Sequence, residues 1–132
     1  MTSMDVVTGE QLRALLDDDQ IPVDRRLLFS LLWEGELRLG DALSLDAADF
    51  DPEARSVVLE VPVHGRGPLV APVGEESAAL MEQVLAGRRQ GPLFVNRQGR
   101  PLAREVAVRW AEAVGHGVHA FRLGGQAERI PR

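Results

Sequence analysis

The 132 residues carry a net charge of −5, with 45% hydrophobic and 27% charged side chains, the balance of one soluble globular domain able to bury a proper core. With no cysteine there is no disulfide and no thiolate metal site, and the three histidines (His64, His116, His119) lack metal-ligand spacing. No run of ~20 apolar residues and no charged-then-apolar leader appears, so the expectation is a cytoplasmic protein with no metal, cofactor or membrane partner.

Every basic residue is Arg; the chain has neither Lys nor Tyr. Residues 1–63 hold 14 acids and 5 Arg (−9), whereas residues 64–132 hold 6 acids and 10 Arg (+4). An acidic total opposes nucleic-acid binding, yet a basic half can present a local basic face; a solvated surface of mixed sign is the alternative.

Residues 1–7 read as a flexible lead-in. Thr8-Gly9-Glu10-Gln11 is a capping box, followed by the apolar stripe Leu12, Leu15 and Leu16, with Asp17-Asp18-Asp19 ending a short helix. A second helix is predicted over 24–34. Polar positions nearly vanish from it after Arg26, which marks it as the buried central helix. Arg38 is then followed by Leu39, Leu43 and Leu45, with Gly35 and Gly40 on either side. An Arg boxed in by apolar residues is costly to bury unless an anion meets it, and an ion pair to Asp41 or Glu36 would serve equally.

A short third helix is expected over 40–45 and a loop over 46–52. Ser56–Val63 and Leu69–Val73 read as a β-hairpin around His64-Gly65-Arg66-Gly67-Pro68, with Pro62 and Pro72 favouring edge positions. A helix follows over 79–87, then a short strand or extended piece over 92–96 and a turn at Arg97-Gln98-Gly99-Arg100. The helix predicted over 102–114 carries the row Leu102, Val106, Trp110 and Val114, with Glu105 and Arg109 paired outside.

His119-Ala120-Phe121-Arg122 places a His and an Arg on one helical face. Together with G-E-L-R-L-G-D-A-L-S-L-D-A-A-D-F-D at 35–51 and P-L-F-V-N-R-Q-G-R-P-L at 92–102, in that order, it resembles the catalytic domain of tyrosine recombinases (phage integrases). The resemblance implies an α+β, mainly helical fold with a small antiparallel sheet. It also implies that Arg38 and Arg122 clamp a scissile DNA phosphate while His119 assists proton transfer. Arg suits the clamp, because its planar fork donates two parallel hydrogen bonds and stays charged. Arg66, Arg97 and Arg100 would add DNA contacts.

The chain also departs from that pattern. The family's hairpin Lys, a general acid, has no counterpart; His64 falls nearest its position, although a turn-exposed His is the plainer reading. Leu123-Gly124-Gly125 follows Arg122, and each glycine weakens a helix by roughly 1 kcal/mol. No Tyr or Cys is present as a nucleophile. The expectation is a single truncated integrase-like domain over 1–132, catalytically inactive, with at most weak, salt-sensitive DNA binding. Two alternatives stay open. One is a protein-interaction or regulatory module with a protein partner; the other is part of a split recombinase that receives its Tyr in trans.

Overall fold

Thr8 opens the first helix as its capping box requires: its amide donates to the Gln11 side chain at 2.9 Å, and its hydroxyl accepts from the Gln11 amide at 3.1 Å. The computed structural model describes residues 5–63 and 67–129. His64 and Arg66 therefore lie outside the described residues, and with them the roles expected of the hairpin tip. The elements are α1 (Gly9–Leu16), α2 (Val23–Glu34), α3 (Leu39–Leu43), a 3-10 turn (Ala47–Asp49), β1 (Phe50–Asp51), β2 (Ser56–Leu59), β3 (Leu69–Pro72), α4 (Glu75–Leu85), α5 (Arg104–Ala113) and α6 (His119–Arg129). The class is α+β and mainly helical, with a small antiparallel sheet, as expected.

Helix α2 is buried on every side from Leu27 to Leu32 because α1, α3, α4 and α6 all pack against it. Burying each of these Leu and Phe side chains contributes about 1.5–3 kcal/mol. Its one buried hydroxyl, on Ser30, is satisfied by the Ser77 hydroxyl of α4. The sheet order is β1-β2-β3, with Phe50 opposite Val57 and Val57 opposite Ala71. Val57 and Leu59 turn inward while Ser56 and Val58 stay half-buried, the period-2 alternation of a strand with one face on the core. Pro72 sits on the edge strand β3, where its missing amide breaks no ladder.

Several expectations are corrected. The stretch 46–52 is not all loop: its end pairs with β2 as β1. Helix α4 begins four residues early, because the Glu34 side chain accepts from the Gly74 amide and two acids, Glu75 and Glu76, occupy the first turn, where the helix dipole favours them. Of the two readings of 92–96, a short strand or an extended piece, the structure has the second, with isolated bridges of Pro92 to Asp46 and Val95 to Pro101. No ion pair joins Glu105 to Arg109 among the described residues.

Of the expected flexible lead-in, residues 1–4 lie outside the described residues, and residues 5–7 are held in place. Val7 is fully buried; its amide donates to Ala120 O at 3.0 Å and its carbonyl accepts from Trp33 Nε1 at 2.8 Å. The Asp5 carboxylate bridges His116 Nδ1 at 3.0 Å and the Gly117 amide at 2.9 Å. Nor do Gly124 and Gly125 interrupt α6. A Cβ at Gly124 would lie 1.7 Å from Val7 O, and one at Gly125 would lie 1.9 Å from Trp33 O. The glycines are what let α6 approach two backbones closely, and that packing outweighs their poor helix propensity.

Candidate phosphate-binding site

Arg38 is the N-cap of α3, in extended backbone. Its flanking residues Leu37 and Leu39 are 2% and 3% exposed, whereas Arg38 itself is exposed. The sequence suggested an Arg enclosed by apolar neighbours; in fact the leucines turn to the core and the guanidinium turns to solvent. Neither candidate acid pairs with it. Asp41, 2% exposed, accepts from the Val63 amide at 2.7 Å, and the Glu36 carboxylate meets Arg129 at 3.3 Å. Among the described residues the Arg38 guanidinium has neither hydrogen bond nor ion pair, so its donors are available to an anion.

Arg122 projects half-buried from α6, three residues after His119 and therefore on the same helical face. Its Nε donates to Glu36 O at 2.9 Å, which pins α6 to the connection that leads into Arg38. The two Nη groups make no ion pair among the described residues, leaving a forked donor set. His119 is the first residue of α6, is exposed, and makes no hydrogen bond among the described residues. The structure thus brings Arg122 onto the Arg38 connection with His119 one turn away. No hydrogen bond joins the three side chains to one another.

Arg97 and Arg100 are exposed on a turn organised by Asn96. Its Oδ1 accepts from the Gln98 amide at 2.9 Å and the Arg100 amide at 3.0 Å, and Gly99 supplies a φ of +78°. Where α6 begins, the Asp5 carboxyl is held below its ordinary value of 3.8, first by the Gly117 amide and then by His116.

Glu36, expected only as an ion-pair partner of Arg38, instead meets Arg122 and Arg129, and Arg129 is a residue that the sequence did not single out. Arg129 lies seven positions after Arg122, two helical turns along one face, and that spacing was the available signal. Two cavities lie elsewhere: about 730 Å³ between α1, α2 and the start of α4, and about 620 Å³ beside Phe50, Leu85 and Arg88. Neither takes in Arg38, His119 or Arg122; Arg38 and His119 are exposed and Arg122 is half-buried. Among the described residues, no three side chains gather as a metal site and no helix is long and apolar enough to cross a membrane.

Known proteins share this architecture. The chain is 28% identical over 148 residues to tyrosine recombinase XerD of Mycobacterium leprae (strain TN), covering 96% of this chain and 45% of that protein. The crystal structure of XerA recombinase superposes with a TM-score of 0.81 at 14% identity, over 96% of this chain and 51% of that one. The integrase of mycobacterium phage Brujita gives a TM-score of 0.77 at 14% identity, over 96% of this chain and 44% of its own. The XerH site-specific recombinase, in a pre-cleavage complex with its difH substrate, gives 0.72 at 18% identity, over 96% and 44%. The chain therefore spans about half the length of these relatives, and its fold is that of a tyrosine recombinase catalytic domain. The sequence profile of the phage integrase family matches residues 5–120, and the chain belongs to that family.

Proposed function

We propose that this domain grips a DNA backbone phosphate between Arg38 and Arg122, with His119 beside it, and that these 132 residues alone do not cleave DNA. The observation that carries the reading is the Arg122 Nε bond to Glu36 O at 2.9 Å. Among the described residues, it leaves the Nη fork uncommitted on the connection that presents an unpaired Arg38. Preorganised cationic donors of this kind are the main electrostatic aid to phosphoryl chemistry. The XerH relative is titled as bound to its DNA substrate, which supports DNA as the source of the phosphate. Arg97 and Arg100, exposed on their turn, would add contacts along the backbone, as would Arg66.

Inactivity follows from composition: no Tyr or Cys is present to form a covalent phosphodiester intermediate, and no Lys to act as general acid. Incubated with supercoiled plasmid, the chain should yield no nicked, relaxed or covalently attached DNA; a covalent adduct overturns this part of the reading. Duplex binding should appear at low salt and fade steeply, each neutralised phosphate adding about 0.9 to the slope of log K against log salt. Arg38→Ala and Arg122→Ala should each weaken binding more than Arg55→Ala, which lies in the acidic half. Equal effects from all three overturn the grip.

A second reading, a protein-interaction module, draws on the 730 Å³ cavity, to whose lining Glu34, Glu75 and Glu76 contribute acids and Arg13 the one base. Absence of duplex binding even at the lowest salt would favour it.

A further inference from the structure

Glu36 holds a backbone conformation that L residues rarely adopt, with φ at +53°. A non-glycine residue persists there only where its surroundings hold it. Here both ends of the residue are held from α6: Arg122 Nε takes its carbonyl at 2.9 Å, and Arg129 Nη1 meets its carboxylate at 3.3 Å.

Arg129 does more than pair with that carboxylate. Its Nη1 also donates to Trp33 O at 3.1 Å and its Nη2 to Glu34 O at 2.8 Å, while the guanidinium lies 5.0 Å from the centre of the Trp33 ring. Helix α2 has no basic residue in its own last turn, so the charge that complements its carbonyl end arrives from α6. Gly125 makes room: its carbonyl accepts from Arg129 Nη1 at 2.7 Å, and a Cβ there would stand 2.8 Å from that nitrogen. A Lys could not replace this arrangement, because one ammonium cannot span three carbonyls, a carboxylate and a ring face.

We propose that Arg129 is a positioning residue for the phosphate grip, acting through Glu36 to fix the direction in which Arg38 leaves the α2–α3 connection. This rests on the reading of Arg38 and Arg122 as phosphate ligands. The pair has a second effect: while Glu36 is bound to Arg129, its carboxylate is not a rival for Arg38, two residues on. Without Arg129 the loop loosens and a free carboxylate competes with the phosphate for the same guanidinium.

The test combines backbone 15N relaxation with duplex binding over a range of salt. In Arg129→Gln, order parameters at Glu36, Leu37 and Arg38 should fall from about 0.85 to below about 0.6, while those of Ala120 to Gly124 hold. Duplex affinity at low salt should drop by about tenfold, the scale of one charged partner lost. The salt slope should stay the same, because no phosphate contact is removed, whereas Arg38→Ala should lower it by about 0.9. Glu36→Gln combined with Arg129→Gln should recover part of the affinity by removing the rival carboxylate, a rescue that a merely structural role does not produce. Arg129→Lys, the milder variant should Arg129→Gln misfold, should lie between wild type and Arg129→Gln. Unchanged order parameters overturn the proposal. So does a salt slope that falls in Arg129→Gln, which would make Arg129 itself a phosphate contact. An affinity indifferent to both Arg38→Ala and Arg122→Ala overturns the phosphate reading and removes what Arg129 would serve. That failure is distinguishable, because the relaxation data still report whether Arg129 holds the loop.

Discussion

The rings of Phe29 and Phe121 are stacked, with centroids 4.5 Å apart and an angle of 4° between their planes. Both are fully buried, one on α2 and the other on α6 immediately before Arg122. The stack therefore sets the height at which α6 presents Arg122 to the α2–α3 connection. Phe121→Ala should cost about 3–5 kcal/mol in urea unfolding, and Phe121→Leu considerably less. A loss below ~1 kcal/mol for the alanine would show that the α2–α6 contact does not depend on this pair.

Gly124 and Gly125 offer a case in which propensity and packing predict opposite signs. Helix propensity alone says that Gly→Ala within α6 should stabilise by about 1 kcal/mol. The Cβ positions, 1.7 Å from Val7 O and 1.9 Å from Trp33 O, are occupied by backbone, which cannot swing aside. Each substitution should destabilise by about 1–3 kcal/mol, read from thermal or denaturant midpoints. A stabilised Gly124→Ala would mean that the segment from Asp5 to Val7 does not lie against α6 in solution.

Asp5 makes the stability of this corner depend on pH. Its carboxyl is held below the ordinary 3.8 by the Gly117 amide and by His116, so the folded state prefers the ionised form. A depressed carboxyl pKa stabilises the fold fully above about pH 4 and loses that contribution as pH falls through the folded value. The gap in melting temperature between the wild type and Asp5→Asn should be widest near neutral pH and close as pH drops below about 4. A gap independent of pH would place the effect of Asp5 elsewhere.

Asp41 is buried and accepts from the Val63 amide at 2.7 Å, joining the start of α3 to the chain beyond β2. Asp41→Ala leaves that amide without its acceptor and should cost about 1–3 kcal/mol. Asp41→Asn keeps a carbonyl oxygen in place and should cost less. Hydrogen exchange at Val63 should quicken in the alanine variant. An unchanged rate would show that the bond is not what protects this amide.

The parts of the fold legible in the sequence were those fixed by local signals. The Thr8–Gln11 capping box needs only four residues, and the 12-residue helix α2 announces itself by an apolar run too long for a surface helix. The β2–β3 pairing follows from two β-branched stretches around a glycine-rich turn. The motif order of residues 35–51, 92–102 and 119–122 carried the family. What escaped notice depends on partners remote in the chain. Helix α4 starts at Glu75 because Glu34 supplies the cap for Gly74, 40 positions away. The glycine pair reads as a defect until Val7 and Trp33 are placed against it. Arg38 looked enclosed because its neighbours are apolar, but on the extended residue that caps α3, adjacent side chains face opposite ways.

The bonds that hold α6 bridge long stretches of chain: 112 positions separate Asp5 from Gly117, and 86 separate Glu36 from Arg122. Closing such loops costs chain entropy before any contact is gained, so these contacts form late in folding. During synthesis the connection at 34–38 and the Phe29 ring emerge from the ribosome well before the helix that covers them. A nascent chain that ends before Phe121 thus presents an uncovered aromatic face, a natural handle for chaperones and a site for premature association. The proposed phosphate grip can assemble only once α6 has docked.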